Sequence, residues 1–314
     1  MIEGSLDDLL HAAIDAVLER GEPVSPTKGP NLELRGVTLQ LTNPRARLSR
    51  SESRGKVFSA LGELLWYLSG SNATDQITHY IALYSQYDED GIVFGGYGPR
   101  LRGGTDQLAT VIDLLRERPT TRRAVIQLFD SEDLLQPHED VPCTCTLQFL
   151  NRQEGLDLIV YMRSNDVFIG FPHDLFCFTM IQELVARSLG IEMGQYIHLV
   201  GSLHLYDDNA DDARRFLDSG YFETREMPPM PEIDPMTGVA EILATEAQLR
   251  DGTDPLSVSL PSDGYWADLA RLLMLFHLDR AGRSDDVAAV TARMTTNVYH
   301  VHVADRQDRT RRDR

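Results

Sequence analysis

The chain has 314 residues, of which 42% are hydrophobic and 25% are charged, and its formal net charge is −18. This length and composition are typical of a globular protein with a sizeable core. The negative charge argues against a general nucleic-acid binder, which needs a basic surface to displace counterions, but it leaves room for a mononucleotide held by a few arginines.

Apolar periodicity predicts helices and strands along the whole chain. The predicted elements are a helix over residues 6–18 capped by Ser5, a strand over 31–42, helices over 57–68 and 106–117, strands over 123–129, 144–150 and 156–162, a helix over 175–189, a strand over 195–206, and helices over 239–250, 264–281 and 284–294. The proline- and methionine-rich residues 224–235 are expected to form a loop, and the terminal DRQDRTRRDR a solvated end. This order predicts an α+β fold with a helix-covered mixed β-sheet, and the absence of a linker predicts one domain over 1–314.

The cysteines bear on both compartment and chemistry. Cys143, Cys145 and Cys177 do not make a disulfide framework, so a reducing, cytoplasmic location is expected. No signal peptide and no bilayer-spanning stretch are predicted. Cys143 follows Pro142 and opens a predicted strand; a lone cysteine is usually a buried hydrophobe, and a nucleophilic role requires a cationic neighbour. No zinc-type spacing accompanies these cysteines, so no metal is expected.

Charged side chains within or beside apolar segments are further candidates. Glu63 lies in an apolar helix, where a carboxylate is costly unless it is paired or used in proton transfer, although a glutamate at the helix edge could also reach water. Arg122 and Arg123 precede a strand, either as a solvated edge or as a phosphate site. Arg163 interrupts an apolar strand, so an anionic partner is expected.

Six segments, in chain order, resemble segments of the thymidylate synthase family. They are ELLWYLSG, GGYG, TTRR, PCTCTLQF, RSNDVFIGFPHD and GSLHLYDDN. The resemblance runs from about Asn31 to about Pro231, and residues 232–314 are expected to form a divergent helical C-terminal region. It implies a thymidylate synthase-like fold and a homodimer that shares active-site arginines between its subunits.

The resemblance also implies the chemistry at the pyrimidine ring. Cys143 would attack carbon 6, so that carbon 5 captures the one-carbon unit of methylenetetrahydrofolate. Glu63 would organise water and relay protons, and Tyr97 would assist proton removal from carbon 5. Asp166 would contact the pyrimidine and, together with Glu63, the folate.

The remaining matched residues would hold the phosphate and the sugar. Arg163 and Ser164 would bind the phosphate, and the Arg122–Arg123 pair would reach the phosphate of the neighbouring subunit's nucleotide. Arg163 would also lower the pKa of the Cys143 thiol. His204 and Tyr206, which taken alone are consistent with a structural pair, would hold the 3′-hydroxyl group, and the loop around Lys28 is matched too loosely for its phosphate ligand to be assigned.

Several departures from the synthase pattern bear on the substrate and the product. Asp174 stands where synthases that use dUMP carry asparagine, which pairs with the carbonyl and N–H of uracil. Cytosine presents an amino donor and a bare ring nitrogen, which a carboxyl group can match. Thr144 stands where synthases usually have histidine. Residues after about Pro231 do not resemble the synthase tail that closes over folate, so water is expected to reach the intermediate before a hydride does.

We therefore predict a cytidylate 5-hydroxymethylase, which converts CMP or dCMP with methylenetetrahydrofolate and water, with CMP preferred. It would act as a cytoplasmic homodimer in nucleotide metabolism, for nucleoside antibiotic biosynthesis or phage-type DNA modification, without a metal, a nucleic acid polymer or a membrane. One alternative is a thymidylate synthase that methylates dUMP. Another is a non-catalytic nucleotide-binding module, against which the retention of Cys143 and Glu63 counts.

Overall fold

The structure is a computed structural model that describes residues 1–51, 56–232 and 234–312. Its strands are β1 (Ile2–Glu3), β2 (Glu22–Val24), β3 (Asn31–Leu41), β4 (Asp88–Glu89), β5 (Ile92–Val93), β6 (Val125–Gln127), β7 (Thr144–Arg152), β8 (Gly155–Asp166) and β9 (Met193–Tyr206). Its helices are α1 (Leu6–Arg20), α2 (Val57–Leu68), α3 (Thr74–Thr78), α4 (Tyr97–Arg102), α5 (Gln107–Glu117), α6 (Gly170–Ser188), α7 (Ala210–Asp218), α8 (Pro235–Arg250), α9 (Gly264–Arg280), α10 (Ser284–Thr291) and α11 (His300–Arg312).

In the described part of the chain, seven strands form one mixed sheet in the order β1-β3-β9-β8-β7-β6, with β2 paired to β3. The long strands β8 and β9 are parallel neighbours, whereas β3–β9 and β7–β8 are antiparallel. Parallel neighbours need a crossover connection, and α6 supplies it. Helices α1 and α6 contact the sheet and each other, so they cover the same face. The predicted helix-covered mixed sheet is confirmed.

Helix α6 begins five residues earlier than the periodicity indicated. Its first turn is Gly170-Phe171-Pro172, where a proline is tolerated because the first backbone N–H groups of a helix have no partner within it. Nearly the whole length of α6 is buried, between β8 on one side and α2 and α8 on the other. This buried position holds the first turn of α6 firmly at the end of β8.

Strand β6 is shorter than the predicted strand over 123–129. The backbone N–H groups of Leu128 and Phe129 both donate to the carbonyl of Cys145, at 2.9 and 3.3 Å. Because these two N–H groups share one acceptor, the regular hydrogen-bond pattern between β6 and β7 ends after Gln127. Three alternating residues therefore pair with β7, and the chain then turns away from the sheet.

The expectation of a solvated C-terminal end is wrong for the residues that the structure describes. The segment lies in α11, where the guanidinium group of Arg306 is 4.4 Å from the ring centroid of Phe276 and 5.2 Å from that of Phe58. The Arg306 Nε atom also lies 3.0 Å from a carboxylate oxygen of Asp279. Cation–π and ionic contacts at a partly buried site outweigh the polar composition that suggested a frayed end.

The C-terminal helices pack against α2. Helix α9 contacts α2, and the hydroxyl group of Tyr80 donates to Glu246 of α8 at 3.1 Å. A β-carbon on Gly62 would lie 2.2 Å from the Tyr80 ring, so only glycine permits this approach. One continuous cluster of buried apolar side chains runs from Leu6 to Val303, which supports our proposal of a single domain. None of the described helices is long and apolar enough to span a membrane.

Candidate active site

A cavity of about 350 Å³ opens where β8 and β9 end, between α2 and the first turns of α6. The parallel register places Ser164 beside Ser202 and Asp166 beside His204, so the polar ends of both strands meet at this edge. The predicted site residues that line the cavity are Glu63, Tyr97, Cys143, Arg163, Ser164, Asp166, Asp174, His204 and Tyr206. Side chains from five separate segments of the sequence thus surround one space.

Arg122 and Arg123 do not line this cavity. Both are exposed in the segment that precedes β6, at the edge of the sheet. The backbone carbonyl of Arg122 accepts a hydrogen bond from Gln148 at 3.0 Å, which fixes the segment but leaves the side chains outside the site. If these arginines bind a phosphate, it is not the one in the cavity of their own chain.

Cys143 lies directly before β7, with its backbone held by Arg163. The Arg163 Nε group donates to the carbonyl of Pro142 at 3.0 Å, and Nη2 donates to that of Val141 at 2.8 Å. Two backbone carbonyl groups thus accept from Arg163 within the chain, and a ligand phosphate as its anionic partner stays a prediction. The guanidinium group positions the loop that carries the thiol.

The pKa of the Cys143 thiol is raised overall, although the Arg163 charge lowers it as expected. Burial is the main cause, and the Arg163 charge lowers the pKa without compensating for it. The carboxyl groups of Asp140 and Asp174 raise it further, whereas Lys28 lowers it. Attack by this sulfur therefore requires that its proton be removed within the cavity.

Glu63 is buried in α2 and does not reach bulk water. Its Oε1 atom accepts hydrogen bonds from the hydroxyl groups of Tyr67 at 2.9 Å and Tyr84 at 2.6 Å. Two phenol donors stabilise a carboxylate at a depth where an unpaired charge would be costly. Sequence reasoning missed both partners; Tyr67 could have been found from its i+4 spacing on the helix, but Tyr84 could not.

The hydroxyl group of Tyr97 is held by Thr144, one of the positions that depart from the synthase pattern. It accepts hydrogen bonds from the Thr144 backbone N–H at 3.1 Å and from the Thr144 hydroxyl at 2.9 Å. Burial, reinforced by Asp174 and Cys143, raises the pKa of Tyr97 well above its usual value. Tyr97 is therefore a neutral phenol whose own proton is available to the cavity.

Asp174 lies in the second turn of α6, where its Oδ2 atom accepts a hydrogen bond from Asn165 at 2.8 Å. Burial raises its pKa well above the usual range, and the charges of Glu63 and Asp166 add to this; the Asn165 hydrogen bond only partly compensates. A carboxyl group in these surroundings holds its proton at pH values where an exposed aspartate is ionised. It can then donate one hydrogen bond as well as accept others.

We expect Asp174→Asn to raise the melting temperature near neutral pH. Because the pKa of Asp174 is higher in the folded than in the unfolded chain, the stability it contributes is complete below the unfolded pKa of about 3.9 and is lost as the pH rises through the folded pKa. The variant should therefore match the wild type at about pH 4 and exceed it increasingly above that. Thermal unfolding over a pH series measures this, with the exposed Asp113→Asn as control; equal curves at pH 8 would contradict it.

One arginine and one lysine line the cavity in the described part of the chain. They are Arg163 and Lys28, whose loop matched the family only loosely. The Lys28 ammonium donates to the Tyr87 hydroxyl at 3.1 Å and lies 3.9 Å from Asp140. Burial lowers the pKa of Lys28, but the contacts with Tyr87 and Asp140 outweigh it and leave the pKa raised. Lys28 is therefore a fully charged candidate for an anionic ligand.

His204, Tyr206 and Asp166 line the cavity and also contact neighbouring groups of the protein. His204 and Tyr206 have rings 4.9 Å apart in an edge-to-face arrangement, and the Ser164 hydroxyl is 3.5 Å from His204 Nδ1. The Oδ1 atom of Asp166 accepts the backbone N–H groups of Phe168 and Ile169, at 2.7 and 2.9 Å. Asp166 thus holds the turn that leads into α6 and also lines the cavity.

Part of the cavity lining is apolar and aromatic. It is formed by Trp66, Ile81, Leu83, Tyr84 and Tyr87. Such a wall suits a flat heteroaromatic ring, because aromatic faces stack and contribute large contact areas. The residues present therefore fit a pterin-type ring.

Comparison with known proteins decides the family. The sequence model of the family described as thymidylate synthase matches residues 49–246. This chain belongs to the thymidylate synthase family. Members of this family are one-carbon transferases that bind a pyrimidine nucleotide and take the carbon unit from methylenetetrahydrofolate.

Two relatives illustrate the range of this family. The deoxyuridylate hydroxymethyltransferase of Bacillus phage SP01 is 32% identical over 213 residues, which is 62% of this chain and 56% of the relative. The thymidylate synthase of Corynebacterium aurimucosum is 29% identical over 233 residues, which is 69% of this chain and 83% of the relative. The chain thus spans little more than half of the phage enzyme's length.

Proposed function

We propose that this protein is a cytidylate 5-hydroxymethylase, which adds a hydroxymethyl group to carbon 5 of CMP or dCMP. The observation that carries the proposal is Asp174, a carboxyl group with a raised pKa in the cavity that also holds Cys143. Cytosine presents a ring nitrogen that accepts and an amino group that donates. A protonated carboxyl group can present the complementary donor and acceptor, with its O–H group at the ring nitrogen and its other oxygen at the amino group, whereas uracil needs the donor and the acceptor in the reverse order.

In the proposed mechanism, the Cys143 sulfur attacks carbon 6 of the ring and makes carbon 5 nucleophilic. The raised pKa of the thiol requires a proton acceptor, and protonation or hydrogen bonding at the ring nitrogen by Asp174 makes carbon 6 more electrophilic. Methylenetetrahydrofolate supplies the one-carbon unit. Glu63, held by Tyr67 and Tyr84, orders a water molecule that accepts the proton leaving carbon 5, and the neutral Tyr97 hydroxyl group assists by hydrogen bonding to that water.

Water then completes the reaction in this proposal. Loss of the proton from carbon 5 first expels tetrahydrofolate, unoxidised, and leaves an exocyclic methylene group on carbon 5; water adds to this group, and the bond between Cys143 and carbon 6 then breaks. Among the described residues, none after Tyr206 lines the cavity, and the C-terminal helices pack against α2 instead. This arrangement supports access of water to the intermediate. The product would suit the synthesis of modified nucleosides or nucleotides.

A second candidate is hydroxymethylation or methylation of dUMP. The names of the two relatives favour it, since one is a deoxyuridylate hydroxymethyltransferase and the other a thymidylate synthase. Asp174 counts against it in both protonation states. When Asp174 is ionised, its oxygen atoms and the uracil 4-carbonyl are all acceptors and cannot pair with one another. When Asp174 is protonated on the oxygen beside ring nitrogen 3, two donors meet there and the ring N–H group has no acceptor.

Product analysis by mass spectrometry separates these candidates. CMP, dCMP and dUMP are supplied together with methylenetetrahydrofolate, and dihydrofolate is followed by absorbance. We expect a cytidylate that gains one hydroxymethyl group without formation of dihydrofolate, and the favoured cytidylate identifies the sugar. A methylated dUMP with dihydrofolate, or a hydroxymethylated dUMP alone, would overturn the proposal.

We further propose that two copies associate through the open face of the sheet. Side chains alternate along β8 and β9, so Ile159, Tyr161, Ile197 and Leu199 lie on the face opposite α1 and α6. Ile159 pairs with Ile197 and Tyr161 with Leu199, and Tyr161 is 43% exposed. This apolar row supports a twofold interface, which would carry the exposed Arg122–Arg123 pair towards a second cavity.

Mixing two inactive variants tests the shared site. We expect a Cys143→Ala protein and an Arg122→Ala/Arg123→Ala protein to be nearly inactive alone. Randomly exchanged subunits should recover about one quarter of wild-type activity, because half of the dimers are mixed and each contains one intact site. Adding Tyr161→Glu to both should abolish the recovery and yield monomers in analytical ultracentrifugation. Failure of exchanged, dimeric mixtures to recover activity would show that the arginines do not act across the interface.

A further inference from the structure

Behind Asp174, a chain of buried polar groups runs away from the cavity into the core. The Asn165 Nδ2 group donates to Asp174 Oδ2 at 2.8 Å, and Asn165 Oδ1 lies 3.0 Å from His198 Nε2. His198 Nδ1 in turn lies 2.7 Å from the Tyr196 hydroxyl. Tyr196 and His198 are fully buried and Asn165 is 5% exposed. Four side chains from β8, α6 and β9 are thus linked in a row.

The donor and the acceptor of every hydrogen bond in this row follow from the innermost group, the Tyr196 hydroxyl. In the described part of the chain the Tyr196 hydroxyl makes its hydrogen bond with His198 Nδ1 and with no other acceptor, so its proton goes to that nitrogen. Burial lowers the pKa of His198 to about 3, so the ring is neutral and carries its single proton on Nε2. That proton is donated to Asn165 Oδ1, which leaves the amide N–H group of Asn165 directed at Asp174.

We propose that Tyr196, His198 and Asn165 are positioning residues that decide which oxygen of Asp174 carries the proton. Because Oδ2 receives the Asn165 N–H group, Oδ2 is the acceptor oxygen and the proton resides on Oδ1. The inference rests on the proposed function and deepens it.

As a consequence, the carboxyl group of Asp174 would present its hydrogen-bond donor and its hydrogen-bond acceptor to the base in a fixed order. Oδ1–H donates to the bare ring nitrogen of cytosine, and Oδ2, which has two lone pairs, accepts from the 4-amino group while it keeps the Asn165 hydrogen bond. A carboxyl group free to exchange its two oxygens would present the wrong polarity part of the time. A buried network in which every member is satisfied therefore selects one orientation.

An isosteric substitution tests this assignment. Asn165→Asp removes the N–H donor without changing shape, so the proton of Asp174 moves to Oδ2, between the two carboxyl groups. We expect kcat/KM for the cytidylate to fall roughly 10- to 100-fold, as for the loss of a hydrogen bond to an ionisable group, with a smaller effect on any dUMP turnover. Gln182→Glu is the matched control, because Gln182 is an equally buried amide, on α6, outside this row. It should leave the ratio of the two substrates unchanged.

The role of His198 is separated from simple packing by two substitutions. His198→Gln retains an N–H donor for Asn165 Oδ1 and should stay within about threefold of the wild type, whereas His198→Phe removes the donor and should behave as Asn165→Asp does. The nitrogen-15 shift of ring nitrogen 3 in bound, labelled CMP gives a readout without turnover. We expect the shift of a hydrogen-bonded nitrogen in the wild type and in His198→Gln, and a shift closer to that of free CMP in the other two variants.

The outcomes distinguish this inference from the proposed function. If the wild type does not hydroxymethylate CMP or dCMP, the proposed function fails. If it does, but Asn165→Asp and His198→Phe keep both the substrate ratio and the nitrogen shift, the positioning role is overturned and the proposed function stands.

Discussion

The Cys143→Ala protein is expected to bind the nucleotide but to form no product. Removal of the sulfur that attacks carbon 6 leaves no route to a nucleophilic carbon 5, so kcat should fall on the order of 10⁴-fold or more. The loop that carries residue 143 is held by the side chain of Arg163 and not by the thiol, so the cavity should keep its shape. Calorimetric titration with CMP and product analysis measure the two effects separately.

Cys145→Ala is the control for this prediction, since Cys145 lies two residues further along and does not line the cavity. Incubation with a 5-fluorinated cytidylate and methylenetetrahydrofolate should give a covalent adduct in intact-protein mass spectra of the wild type and of Cys145→Ala. An adduct with Cys143→Ala, or turnover within tenfold of the wild type, would assign the nucleophile elsewhere. Absence of any adduct and any turnover in the wild type would favour the non-catalytic binding module.

The second large effect is expected from Asp174→Asn, which should change the base that the enzyme accepts. The amide donates to the 4-carbonyl of uracil and accepts from ring N–H 3, whereas cytosine leaves both groups unpaired. Because buried polar groups without partners are strongly disfavoured, the ratio of kcat/KM values for cytidylate and uridylate should shift by roughly 10³- to 10⁵-fold. Steady-state kinetics with CMP, dCMP and dUMP measures this ratio.

The control for this substitution is Asp113→Asn, which removes one negative charge from the exposed face of α5. It should leave the ratio unchanged. A wild-type protein that already prefers dUMP would make Asp174 irrelevant to base selection. A variant that loses activity on every nucleotide would assign Asp174 to catalysis and not to recognition of the base.

The sheet and the helices were largely predictable, because their signals are local. The alternation in β3 and β9 and the apolar helix that carries Glu63 depend on residues a few positions apart. The prediction was wrong where a distant group decided the structure. Strand β6 ends early because the Cys145 carbonyl of β7 accepts hydrogen bonds from two successive N–H groups. The polar terminal segment packs as a helix because Arg306 makes cation–π contacts with Phe58 and Phe276.

The candidate site divides in the same way. Short motifs identified many of the side chains that surround the cavity, since each motif depends only on residues that are close together in the sequence. The partners of those side chains come from elsewhere in the chain: Tyr84 for Glu63, His198 for Asn165 and Val141 for Arg163. Such pairs have no fixed spacing, so no pattern in the sequence predicts them.

The sequence by itself thus determined the family resemblance, the order of the elements and the reactive groups, because these follow from residue identity and short-range periodicity. Only the tertiary structure decided the state of those groups. The raised pKa of Cys143 and the raised pKa of Asp174 both arise from burial, which depends on how α2, α6 and the sheet close around the cavity. The sequence identifies Asp174 as the acid and Cys143 as the thiol, whereas their burial away from water determines whether each of them holds its proton.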